Sequence, residues 1–392
     1  MNQSVIIKHF CKWVLFILGL IFFSCYLHAA DIKRINSNTL RLVGEIEVGD
    51  SIKLEKLLKD IQREDDAPVP YGRSIELNSK GGVFIEGIRI GYLLREYVVE
   101  AHVKSGSICL SSCALAFLGG SFQFATSGPV AGRFLELGGI IGFHGFYIDP
   151  SAEKALQKSY LSAFLGVELS KVMASILAGY AADMNIRSEW INKSLAKGKN
   201  ELYMINTIGD ALDLEIRILD LPPISVIDNS YAVNACNAAT GDIGWKNDGS
   251  AKVRKLSSIE AKRLILEHLS ETLLGGFVLT EIRNALASND STRIYDMYKE
   301  LEHLTSVGAP LIDLDRKVII YHVDESYLRM LTGCIMTLEV KGGRIQSPQV
   351  VFLRTFGISE PYRKWNFLNE EMMIYDRSQL LSELKMIRNN TR

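Results

Sequence analysis

The chain has 392 residues, with 44 basic and 45 acidic side chains and a formal net charge of −1. That length exceeds one ordinary core and suits two domains plus a leader. No basic tract interleaves with aromatics, which excludes support for a nucleic-acid or acidic-surface role. An apolar share of 47% is that of a globular chain rather than a disordered one.

At the start, Lys8 and Lys12 precede an apolar run over 13–27, and the small residues Ala29 and Ala30 follow before Asp31. A positive end, an apolar stretch short of the ~20 residues that cross a bilayer, and a small-residue exit form the layout of a secretory signal peptide. We expect residues 1–30 to be that peptide and the protein to be periplasmic or secreted. An uncleaved inner-membrane anchor made by 13–27, or a lipid anchor on Cys25, are the alternatives. Without the leader four cysteines remain: Cys109, Cys113, Cys236 and Cys334. An even number in an oxidising compartment points to two disulfides, against the alternative of buried free thiols. Of the three pairings, Cys109 with Cys113 and Cys236 with Cys334 is simplest, because each bond stays inside one expected domain. No cysteine pair has C-x-x-C spacing and the histidines are scattered, so no metal or other cofactor is expected.

Along the chain, residues 40–48 read as a strand and 51–62 as a helix with Ile52, Leu54, Leu57, Leu58 and Ile61 on one face. A short strand over 74–77 ends at Asn78-Ser79-Lys80-Gly81-Gly82. A helix over 86–99 follows, in which Gly87 and Gly91 would allow close packing on a neighbour. Residues 101–110 read as one strand, 112–118 as a buried helix, 122–137 as a surface insertion, and 138–146 as a strand holding His144. Helical patterns cover 152–165, 168–182 and 188–196. A strand over 202–205, a short helix over 209–212 and a strand over 214–219 follow. The alternation is that of an α/β domain with a largely parallel sheet. Pro222 and Pro223 mark a boundary, giving domains at 31–221 and 225–392. Beyond it, helices over 258–273 and 291–304 and strands over 318–323, 334–340 and 349–355, with a turn at Lys341-Gly342-Gly343, read as a smaller α+β domain.

Three segments carry candidate chemistry. Two glycines after a strand let backbone amides approach a ligand, and such amides can hold the oxygen of a tetrahedral intermediate; otherwise they are a plain turn. In Cys109-Leu110-Ser111-Ser112-Cys113-Ala114 a serine at a strand-to-helix turn presents its hydroxyl at a helix N-terminus, where negative charge is favoured; otherwise the serine is only a cap. In Gly142-Phe143-His144-Gly145 an imidazole suited to proton transfer near neutral pH lies on an apolar strand; otherwise it is a satisfied core residue. A Cys109–Cys113 bridge would brace the turn and pre-organise the nucleophile.

The order and spacing of these segments resemble the Clp protease proteolytic subunit and its relatives in the Clp/crotonase superfamily. There a strand ends in Ser-Pro-Gly-Gly, the nucleophile follows some thirty residues later in an Ala-Ser-Met-Ala-like turn, and a histidine lies on a later strand. The wording is most similar to exported bacterial members with a Cys-x-Ser-x-Cys turn and a Gly-Phe-His strand. The resemblance covers about 40–218 and implies an α/β fold, a Clp/crotonase-type spiral of β-β-α units. It implies Ser112 as nucleophile, His144 as base, and the amides of Gly82 and Cys113 as the oxyanion hole. It further implies a peptide or protein substrate and a homo-oligomer. Lys80 departs from the family's proline. The family's third catalytic residue, an aspartate, would fall within 195–201, where Asn200 and Glu201 are the nearest candidates. The expected activity is that of a serine peptidase acting through an acyl-serine. A non-catalytic binding or scaffold protein with the same fold is the main alternative, and an acyl-coenzyme A enzyme a lesser one.

Overall fold

A computed structural model describes residues 29–64, 72–123, 129–145, 162–198, 200–222, 229–240, 252–272, 277–303, 318–324, 331–341, 344–354, 357–359, 372 and 375–390. The leader run over 13–27 and Cys25 lie outside them. By contacts the chain divides into two units, 1–205 and 206–392, a division that falls ahead of Pro222-Pro223. Among the described residues no helix is long and apolar enough to cross a membrane.

In the first unit β1 (Asp31–Arg34) pairs antiparallel with β2 (Thr39–Val43). Helix α1 (Asp50–Glu64) leads to β3 (Ser74–Asn78), helix α2 (Phe84–Glu96) to β4 (Glu100–Val103), and a turn to β5 (Ile108–Leu110). Helix α3 (Ser112–Leu118), strands β6 (Ser121–Gln123), β7 (Pro129–Ala131), β8 (Arg133–Glu136) and β9 (Ile140–Phe143), helices α4 (Ser162–Asp183) and α5 (Ser188–Leu195) and strand β10 (Tyr203–Met204) complete it. Strands β2, β3, β4 and β8 run parallel side by side. Their inward residues Leu40, Leu42, Ile75, Leu77, Ala101, Val103 and Leu135 are buried, alternating with more exposed neighbours as a period of two requires. A second small sheet holds β5 parallel to β9 and β10 antiparallel to β9.

Two expectations are corrected here. Residues 101–110 are two strands, not one. Gly106 turns the chain with a φ of 82°, and its N–H donates to the Gly138 carbonyl at 3.0 Å, so β4 and β5 enter different sheets. The stretch 122–137 is not a surface insertion: it contains β8, paired with β4. Arg133 is tolerated inside it because the buried guanidinium donates to the Leu118 and Met184 carbonyls at 2.9 and 2.8 Å, saturating orphan acceptors at helix ends. The segments 168–182 and the end of 152–165 are one helix, α4; residues 152–161 lie outside the described set.

Helix α2 packs against α3 as its two glycines predict. A Cβ on Gly87 would lie 2.3 Å from the Ser112 carbonyl oxygen, and one on Gly91 would lie 1.9 Å from the Tyr180 hydroxyl. That hydroxyl is buried and donates to the Leu115 carbonyl at 2.7 Å. Helix α3 is thus pinned by backbone contact at its start and by Arg133 and Tyr180 further along.

The second unit opens with α6 (Ile208–Asp213), whose Thr207–Asp210 capping box closes both ends of its first turn. Then come β11 (Ile216–Leu219), α7 (Asn229–Thr240), β12 (Lys252–Leu256), α8 (Ser258–Thr272), α9 (Phe277–Ser288), α10 (Ser291–His303), β13 (Val318–Asp324), β14 (Leu331–Lys341), β15 (Arg344–Arg354), β16 (Gly357–Ser359) and α11 (Leu381–Asn390). Strands β12 to β16 form a five-stranded antiparallel sheet in chain order. Helices α8, α9 and α10 supply Ile265, Leu266, Ile282 and Tyr298 to a core that includes Ile320 and Ile335 of the sheet. Lys341 pairs with Arg344 around Gly342 and Gly343, which lie outside the described residues.

Both disulfides form, in the pairing that keeps each within one unit: Cys109–Cys113 at 2.05 Å and Cys236–Cys334 at 2.00 Å. Such bonds are the chemistry of an oxidising compartment.

Candidate active site

The chain leaving β3 crosses to the second sheet. Ser79 N–H donates to the Ile108 carbonyl at 2.7 Å and the Leu110 N–H to the Ser79 carbonyl at 3.0 Å, so Ser79 bridges in parallel to Cys109. The Ser79 hydroxyl accepts from the Gly81 N–H at 3.0 Å. Gly81, at a φ of 101°, takes a backbone shape costly for any other residue. A Cβ there would strike the Leu110 carbonyl oxygen and Ser111 Cβ, each at 2.6 Å. Gly82 follows, bridged to Ile46. The glycine pair therefore lies directly on the serine turn, strapped from behind by Ile46, whose N–H donates to the Gly81 carbonyl at 2.8 Å.

At that turn the two serines have different environments. Ser111 is the residue before α3, with φ 57° and ψ −124°, and is partly exposed. A serine adopts positive φ at a cost of roughly 1–3 kcal/mol, and such strain persists where the surroundings over-determine it. Here the disulfide from Cys109 to Cys113 spans the turn, Gly81 presses on Ser111 Cβ, and the Ser111 N–H is tied to the Gly142 carbonyl at 2.9 Å. Ser112 is 1% exposed, its backbone and Cβ lie against Gly87, and its Oγ has no hydrogen-bond partner. Ser112, expected to present its hydroxyl at the turn, is buried, and Ser111 is the more exposed of the two serines. The sequence signal for that was available, since Ser111 is the serine midway between Cys109 and Cys113.

His144 arrives on the neighbouring strand. Leu110 is in register with Gly142 and Ser111 extends the pairing, so the serine turn and His144 leave two adjacent parallel strands at the same edge, where strands lie about 4.8 Å apart. Phe143, packed edge-on against Trp190 at 4.9 Å, fixes the end of β9. His144 is half-buried, and its Nδ1–H donates to the Gly145 carbonyl. In a neutral ring that tautomer makes Nε2 the proton acceptor. The stretch in which a third catalytic residue was sought does run beside the histidine: the Gly145 N–H donates to the Lys197 carbonyl at 3.3 Å. Asn200 and Glu201 themselves are exposed. Cys113, expected to offer an oxyanion amide, is buried in the first turn of α3. The Ser112 amide is the one beside the glycine loop, 3.1 Å from where a Gly81 Cβ would stand.

Comparison with known proteins adds little to this geometry. No family model matches the chain, and no curated protein matches it. Among solved structures, a variant of ClpP1 from Listeria monocytogenes is similar over 47% of this chain and 91% of its own length, at 16% identity and a TM-score of 0.32.

Proposed function

We propose that the first unit is an exported serine hydrolase, most simply a peptidase, with Ser111 as nucleophile and His144 as base. The observation that carries this reading is the strained Ser111 turn, held by a disulfide and a glycine and placed in register with a histidine strand. Strain of this kind, at a partly exposed serine on a strand-to-helix turn, is what a nucleophile elbow requires. In the step, His144 Nε2 takes the Ser111 Oγ proton as Oγ bonds to the substrate carbonyl carbon. The carbonyl oxygen becomes an oxyanion, which accepts hydrogen bonds from the amides of Gly82 and Ser112. Collapse breaks the C–N bond, and the imidazolium returns the proton to the leaving amine. Water then attacks the acyl-serine by the same route in reverse. The same reading takes the unit as a spiral of β-β-α units, supported by the β4–β5–α3 and β8–β9–α4 successions, and takes export from the leader pattern and the two disulfides.

A second reading keeps Ser112 as nucleophile with the Cys113 amide in the oxyanion hole. Its support is the unpartnered Ser112 Oγ, because an unsatisfied buried group calls for an explanation. Treatment of the folded protein with a fluorophosphonate probe separates these readings. Labelling lost in Ser111→Ala and His144→Ala but kept in Ser112→Ala supports the first. Loss in Ser112→Ala alone supports the second. Folded protein that never labels favours a binding protein that keeps the fold without the chemistry.

A further inference from the structure

The segments that form the site, 79–83, 109–113 and 142–145, contain one charged side chain besides the histidine, and it is Lys80. Its backbone is held on both sides. Ser79 is paired to β5, and Gly81 is bonded to the Ser79 hydroxyl and packed on Ser111. Its side chain is exposed and makes no ion pair or hydrogen bond with the described residues. An ammonium whose backbone is anchored one residue from the glycine pair, and which is unpaired among the described residues, is available to a ligand.

We infer that Lys80 is a specificity residue that selects substrates carrying a negative charge, such as an acidic side chain or a terminal carboxylate, within a residue or two of the scissile carbonyl. The inference rests on the serine-hydrolase reading and names the substrate class of that site. At a separation of about 7 Å and an effective dielectric between 20 and 80, Coulomb attraction gives a preference of roughly threefold to fiftyfold. At an exposed position it is screened by salt, with a Debye length of about 10 Å at 0.1 M and about 3 Å at 1 M. Lys80 also favours the oxyanion of every substrate, so an overall rate loss on its removal is not diagnostic. The ratio between charged and uncharged substrates is.

The experiment uses the full-length protein and two fluorophosphonates of equal length, one ending in a methyl group and one in a carboxylate close to phosphorus. Second-order labelling rates are compared in low and high salt for wild type, Lys80→Gln and Lys80→Glu. The expected result is several-fold faster labelling by the anionic probe in wild type at low salt. That ratio falls towards one in high salt and in Lys80→Gln, and below one in Lys80→Glu. Equal rates for both probes in wild type, or a ratio unchanged in Lys80→Glu, overturns the inference while leaving the hydrolase reading intact. Absence of labelling by either probe in folded wild type overturns the hydrolase reading, and the inference with it. Thermal unfolding of the Lys80 variants, expected to match wild type because the side chain is exposed, separates an electrostatic change from a folding defect.

Discussion

Gly81 and Ser111 touch so closely that a Cβ on the glycine would lie 2.6 Å from Ser111 Cβ. Two segments some thirty residues apart in sequence are thereby packed into one another, so a shift of the glycine loop has to displace the serine turn. Gly81→Ala should disrupt both. The alanine must adopt a φ of 101° and clear the Leu110 carbonyl, so we expect a loss of about 2 kcal/mol or more in urea-induced unfolding. Labelling of the serine should drop at least tenfold. Wild-type stability in this variant would show that the loop yields easily and would remove the basis for a rigid site.

Ser112→Ala should be neutral or stabilising, by up to about 1 kcal/mol, because it deletes a buried hydroxyl that has no partner. The same measurement, denaturant unfolding, checks it. A clear destabilisation would mean that the hydroxyl is satisfied in the folded protein.

The two disulfides should fail differently. Cys236–Cys334 closes a loop of sequence separation 98, worth about 4–5 kcal/mol by loop entropy, whereas Cys109–Cys113 has a separation of 4, worth about 2 kcal/mol. Replacing Cys236 and Cys334 by alanine should therefore lower the unfolding midpoint more. Replacing Cys109 and Cys113 should cost less stability but most of the labelling, since it lets the Ser111 turn relax. If both pairs affect stability and labelling alike, the bridge at the turn has no positioning role.

Acid sensitivity should have a component in Glu86. Burial raises this carboxyl, but hydrogen bonds from the Ser51 amide and hydroxyl and from Arg89 outweigh it and hold the group below its ordinary value of 4.5. A carboxylate favoured in the folded state adds stability that is complete above the unfolded value of about 4.3 and is lost as pH falls through the lowered folded value. Glu86→Gln should be less stable at neutral pH and lose less on acidification below about pH 4.3, as followed by unfolding at a series of pH values. An unchanged slope against pH would contradict this.

Much of the first unit is legible from local pattern. The buried Leu54, Leu58 and Ile61 of α1, the strand ending in the glycine pair and the small, buried α3 each follow from periodicity and turn residues, whereas Ile52, read onto the same face, is exposed. What is not legible depends on distant partners. Arg133 reads as a surface residue until the Leu118 and Met184 carbonyls are placed around it. Residues 101–110 read as one strand because Gly106 turns them only when Gly138 receives its N–H. Residue type does not rank Ser111 and Ser112; in the sequence only the place of Ser111 midway between Cys109 and Cys113 separates them, and their burial depends on the fold. Ser112 has its hydroxyl buried beside Gly87, while Ser111 is partly exposed at a positive φ, with Gly81 and Gly142 against it from across the fold.

The central claim is that Ser111 is an activated nucleophile. Reacting the folded, disulfide-intact protein with a fluorophosphonate, digesting it, and locating the phosphonylated peptide by tandem mass spectrometry tests this most directly. A single adduct on Ser111, absent after denaturation and absent in His144→Ala, is the expected result. An adduct on Ser112, or folded protein that carries none, would contradict it.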